Sequence, residues 1–453
     1  AVLGKHLWPP LVTGVTRHFD ACGLDDGAAV ERFEGAMHAR GLIAGREKAL
    51  SRHVQDHRRA FGEQRRATTL AEVRAWLLQD DAALVRVCDA EEPGSTTEIL
   101  RRMDAIPMGE GAGGGGLAAP LQGAGGCVSE KLERALRGDA GFLRLPEMRV
   151  SASAHRLAGR LRALVDEMAV LVGEGRVDGA RDLSRLARES CALFSVLRPH
   201  AQKGQLKADP ARCAVFFADC LYLVHALLLI PYAQGKALPT EHRELALFVD
   251  LVPQLRRLGE HHFLAMLQHQ QDQLVAALKP CDFAPGISQD RRYIAAEAAL
   301  GAAVQQVKAA AQGLAGVLPA QLLREVVGLL LGVLCRDLLG KLFRLQRCAP
   351  EDAGCVAGLF ASALAGCRQA LAAARPPGEA LGVEVAGAED VPGWEALELS
   401  AELLGSGLSA FMERRARLLR ALKKEEVLKL MHLSWRDEFL SPDEAWTALS
   451  NAH

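Results

Sequence analysis

His53 and His57, in "HVQDH", stand four residues apart, the spacing that puts two imidazoles on one helix face where they could share a zinc ion. A zinc protease of the HExxH type also needs a glutamate after the first histidine as general base, and Val54 occupies that place. No third ligand identifies itself, so the pair reads as two surface histidines. A helical metal-dependent enzyme using His53 and His57 is the alternative reading. His262 and His269 are separated by roughly 10 Å of helical rise, too far to share one zinc whose ligands each sit within about 2.1 Å of it. The Gly-Lys pairs at Gly4, Gly235 and Gly340 are followed by His6, Ala237 and Leu342, not by the Ser or Thr that would hold magnesium in a phosphate loop. Gly111, Gly113 and Gly116 satisfy GxGxxG, but no strand precedes them, and that motif cradles a pyrophosphate only between a strand and a helix. No GxSxG elbow occurs. These residues give catalysis no positive support, and the expectation is a noncatalytic chain with no catalytic, cofactor or metal site.

The elements around these residues read as helices. In "LALFVDLVPQLRRLGEHHFLAMLQHQQDQL", residues 245 to 274, Leu245, Phe248, Val249, Val252, Leu255 and Leu258 recur at three- and four-residue steps and form one apolar face. Pro253 should kink or break that helix near Val252, because it donates no N–H and its ring crowds the carbonyl of Val249. Gly259 offers a stop before a following helix. That helix buries Phe263, Leu264, Leu267, Leu274, Val275 and Leu278, and so turns His262 and His269 toward water.

The same periodicity runs along most of the chain, with no convincing alternation of apolar and polar residues that would make a sheet, so the fold class is all-α. Residues 1–88 form a helical bundle segment containing the arginine-rich "REKALSRHVQDHRRAFGEQRR", read as a solvated face, with a partner or anionic lipid as the alternative. Residues 89–150, through "GEGAGGGGLAAPLQGAGG", read as a flexible Gly-rich linker with at most a short helix at "SEKLERAL". A central bundle follows over 151–375, with helix starts at "ADPARC" and "VLPAQLL" placing Pro210 and Pro319 in first turns. Residues 376–393 are an acidic Pro/Gly loop, and 394–453 a C-terminal bundle segment in which Ser441, Pro442 and Glu444 make a helix start. Glu384, Glu389, Asp390 and Trp394 could capture a coat or adaptor protein, but the favoured reading is a variable loop with Trp394 in the core.

The chain of 453 residues can bury a large core. Its formal charge of −1 and 5% aromatic content speak against direct nucleic-acid binding, which needs a concentrated positive surface or stacking platforms. The 11 cysteines, odd in number and without a CxxC pair or a signal peptide, point to a reduced compartment, the cytosol. Cys213 and Cys220, like Cys348 and Cys355, share helix faces and read as core thiols. The run 213–234 approaches the length of a membrane span, but Asp219 and His225 interrupt it, so a helix buried in protein is the cheaper reading. The opening "AVLGKHLWPP", without Met, fits a fragment.

"FVDLVPQLRRLG" followed by "FLAML" closely resembles a segment of the zeste-white-ten family, the centromere/kinetochore proteins that also serve as Golgi-to-ER vesicle tether subunits. "LPEMRVSASAHRL", "DCLYLVHALL", "VLPAQLLREVVGLLLGVLCRDLLGKL" and "VPGW" agree in the expected order. The likeness runs from about residue 28 to near the C-terminus, weakest through the Gly-rich linker and the final residues. It corresponds to the family's middle and C-terminal portion, without the N-terminal coiled-coil region. The resemblance implies an elongated stack of helical bundles of the tethering-complex rod type. It implies an adaptor in two complexes: one with Rod and Zwilch at kinetochores, for dynein recruitment and the spindle checkpoint, and one with the Rad-fifty interactor and ER SNAREs. The implied location is cytoplasmic, peripheral at the ER membrane through partners, and at the kinetochore in mitosis. The family supplies no catalytic residues, and partner-binding residues are unknown. Phe248, Asp250, Pro253, Arg256, Arg257 and Gly259 match its pattern and are expected to set helix packing and the kink.

Overall fold

The computed structural model describes residues 2–22, 27–43, 48–79, 83–88, 145–283, 285–373, 390–406 and 408–434, together with residues 444 and 447. The Gly-rich run with its GxGxxG, the "SEKLERAL" segment, Glu384, Glu389, Ser441 and Pro442 lie outside the described residues.

The fold is all-α. In chain order the helices are α1 (Val2–Cys22), α2 (Gly27–Ala39), α3 (Ala49–Leu78), α4 (Ala152–Gly173), α5 (Val177–Ala201), α6 (Gln205–Ala208), α7 (Pro210–Ala233) and α8 (Val252–Leu278). They continue as α9 (Asp290–Leu314), α10 (Ala320–Arg344), α11 (Pro350–Ala373), α12 (Trp394–Leu403), α13 (Leu408–Glu413), α14 (Arg415–Ala421) and α15 (Lys424–Ser434). The helix read from Trp394 through about residue 423 is therefore divided into shorter pieces. Among the described residues a single two-stranded antiparallel ladder interrupts the helices: β1 (Leu84–Val87) pairs with β2 (Met148–Ser151), with Val85 opposite Val150 and Val87 opposite Met148. Sequence reading expected no sheet, and placed residues 148–150 in the linker. The strands are four residues each and lie more than sixty positions apart, too short and too distant for periodicity to reveal them.

The described chain divides into two compact units. One comprises 1–79, 160–197 and 234–246. Trp8, Val30, Ile43, Leu50 and Val54 form a core cluster there, and the buried Glu34 accepts hydrogen bonds from the Leu50 N–H at 2.8 Å and from the Ser51 hydroxyl. Part of the arginine-rich face is engaged within this unit. Arg66 forks onto Glu189 at 2.7 and 2.8 Å, Arg65 meets Glu167, and Arg59 pairs with Glu63 one turn on.

The other unit holds 80–159, 198–233 and 247–453. Its central helix is α7. Asp209 caps it, its carboxylate accepting the N–H of Ala211 at 2.9 Å, and Pro210 sits in the first helical position, where a missing N–H costs nothing. Pro319, by contrast, is the residue before α10 and not its first turn. Helix α7 is buried along nearly its whole length, 83% of its apolar window, as expected of a core helix in place of a membrane span. Helix α11 is also long and apolar enough to cross a membrane, with 39% of its window buried. Its large residues, Val356, Leu359, Phe360 and Leu364, face the core, whereas Gly354, Gly358, Ala361, Ser362 and Ala365 are exposed, so little apolar surface meets solvent.

The 245–258 stretch is not one kinked helix. Short 3-10 turns cover Thr240–Ala246 and Val249–Leu251, and α8 then starts at Val252 with Pro253 in its first turn. The proline begins a helix, which its fixed φ favours, and has no helical hydrogen bond to break. Gly259 is not a stop either; α8 runs through it to Leu278. Of the expected stripe, Phe248 and Leu255 are buried, whereas Val249 is 53% exposed.

Candidate functional site

Asp219, Ser151 and His155 come together where β2 and the start of α4 meet α7. Asp219 projects from the middle of α7 with no solvent exposure. One carboxylate oxygen accepts the backbone N–H of Ser151 and the other its hydroxyl, both at 2.7 Å. The Ser151 oxygen in turn accepts the Ala154 N–H at 3.2 Å, capping the first turn of α4, and lies 2.9 Å from the Ser153 hydroxyl. Burying an ionised carboxylate costs several kcal/mol unless donors surround it, and here the end of β2 and the start of α4 supply them. Asp219 thus pins that strand-to-helix junction onto the core helix. Sequence reading took Asp219 only as an interruption of an apolar run; the signal available was that an acid inside such a run must have partners, and "SAS" in the matching segment carries suitable ones.

A serine, an acid and a histidine within one region invite comparison with a hydrolytic triad, and the geometry rejects it. Ser151 is fully buried and bonds the acid directly, whereas His155 spends its Nδ1 on the Tyr222 hydroxyl at 3.1 Å. A nucleophile also needs a path for substrate, and the fully buried Ser151 has none.

The thiols are equally withdrawn. Burial pushes Cys191, Cys213, Cys335 and Cys367 up to about 12 and Cys281 to about 11, and raises Cys220 well above its ordinary value. At neutral pH they stay protonated and unreactive. Cys213 and Cys220 are buried as expected of core thiols, while Cys348 and Cys355 are only half-buried.

The stretch of α8 that carries the family resemblance serves the α7–α8 contact. A Cβ on Gly259 would lie 2.9 Å from the Cβ of Cys220, so only glycine lets the helices approach this closely. Phe217 stacks on Phe263 at 4.7 Å between ring centres, and Arg256 pairs with Glu260 at 2.7 Å. Phe248 is buried, while Asp250 and Arg257 are exposed. His262 corrects the expectation of a wet side chain: it is half-buried, edge-on to Phe216 at 5.4 Å, and burial, aided by His261, lowers its pKa. It does not lie on the side opposite Phe263: both residues pack on α7, His262 against Phe216 and Phe263 against Phe217. His269, also half-buried, meets Gln273 at 3.0 Å.

His53 and His57 stand with ring centres 6.5 Å apart. Among the described residues no cluster of three or more His, Cys, Asp or Glu is arranged to hold a metal ion. Trp394 lies in the core at 3% exposure with the Arg368 guanidinium over its ring. Beside it, Glu395 takes Arg417 and Arg420, Glu398 takes Arg368 and Arg417, and Glu402 takes Arg414, tying α12 to its neighbours.

Residues 143–276, which contain this whole junction, match the sequence model of the family described as "Centromere/kinetochore protein zw10, C-terminal". A protein named "Centromere/kinetochore protein zw10 homolog" from Rattus norvegicus is 28% identical over 161 residues, which is 35% of this chain and 21% of the relative. Proteins of the same name from Mus musculus and Arabidopsis thaliana are 27% and 25% identical over 161 and 163 residues, again 35% of this chain and 21% of each relative. The matched part thus spans about a fifth of those relatives. Three of the quoted sequence segments, those starting at Leu145, Asp219 and Phe248, lie inside the family match; those starting at Val317 and Val391 lie beyond it. Residues 143–276 are thus similar to the C-terminal region of the zeste-white-ten family.

Proposed function

We propose that the chain is a noncatalytic adaptor subunit of a multisubunit complex. In this reading it acts with Rod and Zwilch in dynein recruitment and the spindle checkpoint at kinetochores. It acts with the Rad-fifty interactor and ER SNAREs in Golgi-to-ER vesicle tethering. It contacts proteins and not nucleic acid, is cytoplasmic, reaches the ER membrane through its partners, and joins kinetochores in mitosis.

The likeness of residues 143–276 to the C-terminal region of centromere/kinetochore zw10 proteins carries this proposal. The packing of that segment supports it: Asp219 and Ser151 tie β2 and the start of α4 to α7, and His155 meets Tyr222 of α7. An adaptor needs packed helices with separate exposed faces. Imaging a fluorescently tagged chain in dividing cells tests the location. Foci at kinetochores in prometaphase and ER-associated signal in interphase are expected; diffuse signal in both phases would contradict the reading.

A further inference from the structure

Helices α8 and α10 end beside a recessed cavity of about 640 Å³. Its lining brings together Lys279, Lys341, Arg344 and Arg347, with Asp282 the single carboxylate among the lining residues. Part of this charge has a structural use. The Lys341 ammonium donates to the Leu278 carbonyl, exposed by the end of α8, and pairs with Asp337 at 2.9 Å. Lys279, Arg344 and Arg347 are exposed and form no ion pair among the described residues. In the same unit Arg414, Arg417 and Arg420 are each taken up by glutamates.

A recess lined mainly by positive charge, with Asp282 as its one carboxylate, focuses a positive field and concentrates anions. The two guanidiniums suit carboxylates, which they can grip through paired hydrogen bonds. The volume lies within the range of small-ligand sites and is far larger than an inorganic phosphate requires. Pro285 and Leu345 add an apolar patch to the lining, giving a place for an uncharged side chain beside the cations. A flat lipid surface would need the cations on a projecting face, and these lie around a recess.

We propose that this cavity binds an acidic peptide segment of a partner protein, its carboxylates on Lys279, Arg344 and Arg347 and one apolar side chain against Leu345. The proposal does not depend on the kinetochore or tethering assignment, because it rests on the charge and shape of the recess alone.

The test uses the whole chain and a fluorescein-labelled peptide of aspartates and glutamates around one leucine, followed by anisotropy. Inositol hexakisphosphate and phosphatidylserine vesicles are titrated in parallel. The double variant Arg344→Glu with Arg347→Glu should weaken peptide binding about tenfold or more, and the milder Arg344→Gln with Arg347→Gln several-fold. Lys308→Glu with Arg324→Glu, the same charge change outside the lining, should leave it within about twofold. Circular dichroism establishes that each variant is folded, and the glutamine pair decides the matter should the glutamate pair unfold. The proposal is overturned by failure of the unsubstituted chain to bind the peptide, by equal loss in the control pair, or by binding of only hexakisphosphate or vesicles at the recess.

Discussion

Gly259 shows how much one side chain decides. Its absent Cβ is what allows α8 to touch Cys220 of α7, and a methyl group there would sit 2.9 Å from another carbon. Gly259→Ala should therefore destabilise the fold by roughly 1–2 kcal/mol, an overpacking cost of about 1–3 partly offset by the better helix propensity of alanine. Urea denaturation would measure it, and a stabilised variant would show that the helices are not in contact at this point. Asp219→Ala removes the acceptor for both the N–H and the hydroxyl of Ser151, and each group left unsatisfied costs about 1–3 kcal/mol. A loss under 1 kcal/mol by the same denaturation would mean that the junction is not pinned by this acid. Asp352 carries a pH dependence. Burial alone would raise its pKa, but hydrogen bonds from the N–H groups of Gly286 and Ser288, with Arg292 nearby, hold it below its ordinary 3.8. A depressed carboxylate stabilises the fold above its unfolded value and loses that contribution as pH falls through the folded value. Stability should thus drop on acidification below about pH 4, and Asp352→Asn should flatten that drop when urea midpoints are compared across pH.

At the scale of elements, the start of α7 was legible because its signals are local: Asp209, then Pro210, then an apolar run. Asp209→Ala should cost about 1 kcal/mol and fray the first turn, read as lost amide protection at Ala211 and Arg212. Unchanged protection there would show that the cap is idle. The 240–258 region misled because its apolar spacing fits α-helix, while the chain uses 3-10 turns and lets α8 begin with Pro253. Gly259 resembled a helix stop because glycine often ends helices, yet its role is set by Cys220, on a different helix about forty residues earlier. The β1–β2 ladder and the covering of His262 by Phe216 are hidden for the same reason. Each depends on a partner far away in sequence, and neither leaves a periodic trace. Where Gly393 precedes α12, a positive φ of 83° gives the chain a turn that "VPGW" does announce.

For the whole molecule, the all-α class followed from helical spacing repeated along the chain, and that signal survives local errors because many elements vote on it. Little of the candidate site was legible in the sequence. His53 and His57 lacked a glutamate and a third ligand, and the thiols had core spacing, but the Asp219 junction needed the meeting of α7 with β2 to be seen. The recess beside α8 and α10 likewise joins lysines and arginines from two separate segments, "LKPCD" and "KLFRLQR". We propose that this helical chain works by holding protein partners. Purifying the tagged chain separately from interphase and mitotically arrested cells and identifying the copurifying proteins tests it most directly. The Rad-fifty interactor with ER SNAREs is expected in interphase, and Rod with Zwilch in mitosis. Recovery of neither set from either lysate would contradict it.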